Sequence, residues 1–223
     1  MRVTLMELGK CVASSGIKKM MFLNSHGGNI SILDIVARDL RIEEKMLVFC
    51  VNWFGLGMPS DVYSESELKH GIHAGDMETS VMLALDPDNV KMDRAQNFVP
   101  KTVELESNFK YLGLNSGAKF GWQSQDLNAY GACGNALLST AEKGNLTLEF
   151  ASEKLLEVIK EIRKLKKDSK VVMLTGYGNI PTAVAAVKAG AIDYMPKPAS
   201  ADDVENALLA SAEDKANPPE NPM

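Results

Sequence analysis

What this sequence lacks first is basic character. It carries 24 lysines and arginines against 29 aspartates and glutamates, a formal net charge of −5. That balance argues against nucleic-acid binding through phosphate neutralisation. Long apolar runs are missing as well: none could span a bilayer. The first residues read as an amphipathic helix, not as the charged-then-apolar start of a secretory signal. Cysteine is scarce. Cys11, Cys50 and Cys133 are odd in number, far apart and without a C-x-x-C pair, so neither a zinc ribbon nor a disulfide framework is indicated. They read as small buried hydrophobes in a reducing, cytoplasmic setting. No repeat of fixed period recurs. Histidine is rare enough that each position carries weight, because only His26, His70 and His73 are present.

What is there is ordinary globular material. The 223 residues are 45% hydrophobic and 24% charged, enough for one domain or one and a fraction. A helix is expected over residues 3–15, stopped by Gly16 as a C′ residue. "KKMMFLN" reads as a buried strand ended by Gly27 and Gly28. "ISILDIVARDLRIEEK" reads as a helix with an apolar stripe of Ile30, Leu33, Ile35, Val36 and Leu40, and "MLVFCVN" as a second buried strand. Strand, helix and strand in that order predict an α/β fold with a mostly parallel sheet. A Gly/Pro/Ser-rich loop is expected over 55–66, a helix in "ETSVMLALDP" closed by Pro87, and a loop-rich stretch over 90–135. A long amphipathic helix follows in "LTLEFASEKLLEVIKEIRKLKK", whose basic end complements the helix dipole.

Two stretches carry chemistry in this first part. "NSHGGN" (24–29) puts His26 among glycines at a strand end, where α/β folds place their sites and where bare backbone allows close approach. "HAGDMETS" (73–80) puts His73 before a glycine, with Asp76 and Glu78 opening a helix. Imidazole nitrogen and carboxylate oxygen together suit zinc or manganese better than calcium. The same residues also have structural readings: a glycine-flanked histidine can simply shape a turn, and acids in a first helical turn serve as caps or dipole partners.

The two motifs in this order resemble the creatininase (creatinine amidohydrolase) family, which carries NGHGGN-like and HAGExETS-like segments. "GNALLSTAEKG" (134–144) is similar to that family's late glycine-rich segment. The resemblance covers about residues 1–162. It implies a three-layer α/β/α fold and hydrolysis of amide or cyclic amide bonds with divalent metals. It further implies that His26 and Glu78 are metal ligands and that His73 is a catalytic residue near the substrate. Asn24, Gly27, Gly28, Asn29 and Asp76 would shape the site. The family opens on a Glu-x-His-Gly-Pro-His strand followed by an aspartate, which has no counterpart before Met1. The expectation is therefore an N-terminally truncated domain, weakly active or inactive.

After the long helix the texture changes. "KVVMLTGYGN" reads as a strand and glycine turn, "IPTAVAAVKAGA" as an Ala-rich helix with Pro181 near its start, and "IDYMPKP" as a short strand. "SADDVENALLASAED" reads as a helix capped by Ser200. Thr175 and Lys197, at neighbouring strand ends, could together hold one anion. A plain turn with a surface lysine is the structural alternative. The run resembles the response-regulator receiver domain of the RegA/ActR-like group, over about 160–223. That resemblance implies a partial flavodoxin-like segment in which Thr175 is the switch hydroxyl, Tyr194 the switch aromatic and Lys197 the phosphate-contacting lysine. The acidic pair and phospho-accepting aspartate belong to earlier strands of that family, so no phosphotransfer is expected.

The expected layout is a creatininase-like domain over 1–162, a partial receiver-like segment over 163–210 and a disordered tail over 211–223. The leading expectation is a metal-dependent amidohydrolase acting on a small-molecule amide. It would have a tendency to form homo-oligomers and no nucleic-acid or membrane partner. The rivals are a receiver-type signalling or interaction module and a non-functional fusion.

Overall fold

The computed structural model describes residues 1–165, 172–175, 191–196, 199–200, 202–204 and 206–207. In chain order the elements that matter are α1 (Arg2–Ser14), β1 (Lys19–Asn24), α2 (Ile30–Glu43), β2 (Leu47–Asn52), α3 (Glu65–His70), α4 (Asp76–Leu85), β3 (Asn97–Phe98), α5 (Lys101–Asn108), α6 (Ser124–Leu127), β4 (Gly134–Asn135), α7 (Ala141–Lys164), β5 (Val172–Thr175) and β6 (Asp193–Pro196). The chain divides into two compact units, Met1–Leu56 with Glu153–Met223, and Gly57–Ser152. The fold is α/β. No described helix is long and apolar enough to cross a membrane.

In the first unit β1 and β2 pair in parallel, with Met20 opposite Val48 and Phe22 opposite Cys50. α1 and α2 cover one face of this pair. Met6, Val36 and Leu40 form the core there, with Met20, Phe22 and Val48 packed against them. The strands are less buried than a continuous apolar run predicts. Alternate strand residues point to opposite faces, and Leu23, on the other face from Phe22, is 51% exposed. The α2 stripe is narrower than expected for the same kind of reason. Leu33, Val36 and Leu40 follow helical spacing and are buried, whereas Ile35 falls between them and faces out. α1 ends where expected, with Gly16 in the left-handed region at φ +86°. Of the cysteines, only Cys133 is fully buried; Cys50 is half-buried and Cys11 exposed.

β5 and β6 pair in parallel, Val172 opposite Asp193 and Thr175 opposite Pro196. Residues 202–204 and 206–207 are helical. Ser200 caps them: its Oγ accepts from the Asp203 N–H at 3.1 Å, and its own N–H donates to Asp203 Oδ2 at 2.8 Å. The helix expected over 180–191, with Pro181, falls almost wholly outside the described residues, and the tail over 211–223 lies wholly outside them.

In the second unit the loop expected over 55–66 gives way at its end to α3. Its start is set by Ser64, whose Oγ accepts from the Glu67 N–H at 3.1 Å. β3 and β4 make a short antiparallel ladder, Asn97 opposite Asn135 and Phe98 opposite Gly134. α7 lies close against α4 at Gly144. A Cβ there would overlap the Ser80 carbonyl oxygen and would sit 2.6 Å from its carbon and 2.8 Å from Ala84 Cβ.

Candidate functional site

In the first unit Asn24 organises the NSHGGN turn. It ends β1 and is 4% exposed. Its Nδ2 donates to the His26 carbonyl at 2.9 Å and to Asn52 Oδ1 at 2.7 Å. Its Oδ1 accepts from the His26 N–H at 3.2 Å and from Asn29 Nδ2 at 3.3 Å. One buried amide thus uses both donors and its acceptor to fix the turn, as a buried polar group must. His26 is exposed beyond it. Its ring lies over Gly28, where a Cβ would come within 2.8 Å of Nε2. Gly27 meets nothing comparable: a Cβ there would find no neighbour within 4 Å.

In the second unit the HAGDMETS stretch brings His73 and Glu78 together. An antiparallel bridge to Cys133 pins the His73 backbone. The Cys133 N–H donates to the His73 carbonyl at 2.6 Å and the His73 N–H to the Cys133 carbonyl at 3.4 Å. Ala74 then turns the chain through φ +51°, a conformation that costs a non-glycine residue energy and is held only by its surroundings. Here the Ala74 N–H donates to Glu78 Oε2 at 2.9 Å. The other Glu78 oxygen lies 3.9 Å from His73 Nδ1. The Trp122 ring stands beside His73, with centroids 6.2 Å apart. The two polar side chains are 31% and 50% exposed, open to a small solute.

Asp76 plays a different part. It is 1% exposed, and its Oδ2 meets Lys143 Nζ at 2.6 Å while its Oδ1 accepts from Ser80 Oγ at 3.2 Å. Lys143 also donates to the Leu138 carbonyl at 2.9 Å. A buried pair of this kind needs such extra bonds to offset desolvation. It ties the start of α4 to the start of α7.

Glu67 has no counterpart in the expected site. It is 8% exposed and accepts from the Met77 N–H at 3.1 Å and the Asn135 N–H at 3.4 Å. Its carboxyl occupies a space that side chains at Gly75 and Gly134 would fill, the latter's Cβ coming within 2.8 Å of Oε2. The glycines of HAGD and of the late glycine-rich segment therefore make room for a carboxylate that fastens both. Burial pushes the Glu67 carboxyl above the usual range, and its backbone hydrogen bonds oppose that shift. The Ser64-x-x-Glu67 pattern, a capping-box signature, was the available signal. It would have marked the helix start but not the tertiary role.

Thr175 and Tyr194 sit on the paired strands β5 and β6, with Met173 opposite Tyr194. Lys197 lies outside the described residues.

Among the described residues no group of three or more His, Cys, Asp or Glu side chains is arranged to hold a metal ion. His73 and Glu78 are two donors, whereas catalytic zinc takes three protein ligands, so this pair does not fit a metal by itself.

Comparison with known proteins gives two matches along the chain. The family model described as creatinine amidohydrolase matches residues 1–159, and that of the response regulator receiver domain matches 154–209. Both include residues 154–159, within α7. Among solved structures the chain is similar to a tryptophan-to-phenylalanine mutant creatininase, with 25% identity and a TM-score of 0.53, covering 72% of this chain and 62% of that one. A structure of creatinine amidohydrolase shares the fold, with 24% identity, a TM-score of 0.52 and the same coverage of 72% and 62%. The C-terminal part is similar to the photosynthetic apparatus regulatory protein RegA of Rhodobacter capsulatus, 57% identical over 68 residues, 30% of this chain and 37% of that protein. It is also similar to the acid tolerance regulatory protein ActR of Sinorhizobium medicae, 54% identical over 68 residues, 30% of this chain and 35% of that protein. The chain thus spans little more than a third of these curated relatives.

Proposed function

The chain belongs to the creatinine amidohydrolase family through residues 1–159, and on that premise we propose that it hydrolyses a small amide or cyclic amide, slowly, with His73 and Glu78 handling the proton. The observation that carries this reading is the His73–Glu78 approach at 3.9 Å. Neutral His73 can take a proton from a water attacking the amide carbon and return it to the nitrogen as the C–N bond breaks. The Glu78 carboxylate steadies the imidazolium formed between those steps. Its second oxygen is held by the Ala74 N–H, which fixes the side chain on the His73 side of the turn. The flat face of Trp122 beside the imidazole offers a platform for a small planar amide.

The divalent metal that the family implies would activate the water and polarise the carbonyl. This pair is too small a donor set to hold it, so the reading rests on the chain's own side chains and predicts slow turnover. The test is a chromatographic assay of creatinine and simple lactams incubated with the full chain. Slow turnover that falls sharply, to a small residual rate, in His73→Ala supports the reading. Turnover undiminished in His73→Ala, or none above buffer in the wild type, rejects it.

A second reading is a receiver-type signalling or interaction module. It is favoured by the 57% identity to RegA of Rhodobacter capsulatus over 68 residues. Incubation with acetyl phosphate separates the two. No covalent label is expected on the chain, and stable incorporation of phosphate would favour the module.

A further inference from the structure

We propose that Thr102, His70 and Glu106 form a second hydrolytic site, which cleaves small apolar esters by acyl transfer to the Thr102 hydroxyl. His70 closes α3, while Thr102 and Glu106 stand four residues apart on one face of α5, so a single imidazole reaches both. His70 Nδ1 is 3.0 Å from Thr102 Oγ1, and Nε2 is 3.0 Å from Glu106 Oε2. The partners fix the tautomer. An ionised carboxylate only accepts, so Nε2 of the neutral ring carries the hydrogen and Nδ1 turns its lone pair toward the hydroxyl. Lys69, bonded to Glu106, holds that carboxyl below its usual range and keeps it ionised. This is the nucleophile, base and orienting-acid arrangement of acyl-transfer sites, recognised by geometry and not by sequence order.

The surroundings suit the chemistry. All three residues line one groove of about 220 Å³, whose walls include Ile72, Leu105 and Phe109. That is smaller than the pockets that enclose drug-sized ligands, so it takes a short acyl chain. Thr102 is the second residue of α5. The N–H groups of a first helical turn lack partners in their own helix and carry the positive end of its dipole. The Val103 N–H is already taken by the Pro100 carbonyl at 3.1 Å, so the oxyanion is assigned to the N–H groups of Lys101 and Thr102.

The cycle balances with water as the only co-reactant. Thr102 Oγ bonds to the ester carbonyl carbon while its proton passes to His70 Nδ1. The ester C–O bond breaks, and the alcohol leaves with that proton. Water then gives a proton to Nδ1 and attacks the acyl carbon, and Thr102 Oγ departs with the proton, releasing the acid.

The same three residues could merely latch α3 to α5, and the experiment separates the two roles. The full chain is mixed with p-nitrophenyl butyrate in the presence of a chelator, which removes any metal-dependent contribution. The proposal expects p-nitrophenolate release in proportion to protein, and a butyryl adduct on Thr102 in acid-quenched samples read by mass spectrometry. Thr102→Val and His70→Gln should each lower the rate about 100-fold, the scale of a lost nucleophile or base. Thr102→Ser should retain activity, which guards against a valine variant that fails to fold. Wild-type hydrolysis at the buffer rate, a rate unchanged in Thr102→Val, or an adduct at another residue overturns the proposal. Each result stands apart from the fate of the His73–Glu78 reading, because creatinine and lactams are assayed separately.

Discussion

Replacing Gly144 by alanine gives a result whose sign is fixed by the packing of α7 on α4. In an exposed helix interior this change should stabilise, by about 1 kcal/mol, because glycine is a poor helix former. Here the added methyl has no room. It would overlap the Ser80 carbonyl oxygen, and it would stand 2.6 Å from the Ser80 carbonyl carbon and 2.8 Å from Ala84 Cβ. Two of those three atoms are backbone of α4, so no rotamer change relieves the clash and the helices must separate. Overpacking of a well-filled interior costs about 1–3 kcal/mol, and a backbone clash belongs at the upper end. Less the helix-propensity gain, the net loss is about 2 kcal/mol. Urea unfolding of both proteins, followed by circular dichroism, reads this as a lower midpoint at unchanged slope. Adding Ala84→Gly should not restore stability, since the Ser80 carbonyl is still in the way. A Gly144→Ala protein more stable than its parent would refute the close α4–α7 contact.

Other expectations follow from the same unit. Lys143→Ala leaves Asp76, 1% exposed, without its counter-ion, and should cost about 3 kcal/mol in the same unfolding assay; a loss near zero would mean the pair is not buried. Glu67 holds its proton more tightly when folded because burial raises its carboxyl. Its contribution therefore favours the fold below the unfolded value of about 4.3 and is lost as pH rises through the folded value. The thermal midpoint of wild type relative to Glu67→Gln should rise as the solution is acidified from neutrality, and a relative fall would contradict the burial effect. Calorimetric titration with zinc should show no tight uptake of two metals per chain, while tight stoichiometric binding would reveal ligands beyond the His26 and Glu78 that the resemblance implies.

Much of the fold was readable because it rests on local rules. β1 and β2 follow from their apolar runs, α2 from apolar periodicity, and the end of α1 from one glycine. The NSHGGN and HAGDMETS stretches marked their turns through glycine and histidine, residues that are rare or conformationally special. What stayed hidden depends on partners distant in the chain. Asp76 looked like a loop-shaping acid, yet its partner Lys143 lies 67 residues away. Nothing local in the sequence marks the tertiary role of Glu67, which fills a cradle whose far side is Gly134. The missed helices α3, α5 and α6 are short, so they offer too few turns for periodicity to rise above the turn-forming residues around them. Ile35 was misplaced because composition counts an isoleucine as core, while the angle around the helix decides its exposure.

The proposed chemistry requires His73 and Glu78 to act as one unit, and a double-mutant cycle on cyclic-amide hydrolysis tests this most directly. Creatinine turnover would be measured for wild type, His73→Ala, Glu78→Gln and the double variant. If the carboxylate works through the imidazole, the double variant should be no slower than His73→Ala alone, because residues of one unit are strongly non-additive. Losses that multiply would mean that the two side chains act separately, and a Glu78→Gln protein as fast as wild type would remove Glu78 from the reaction.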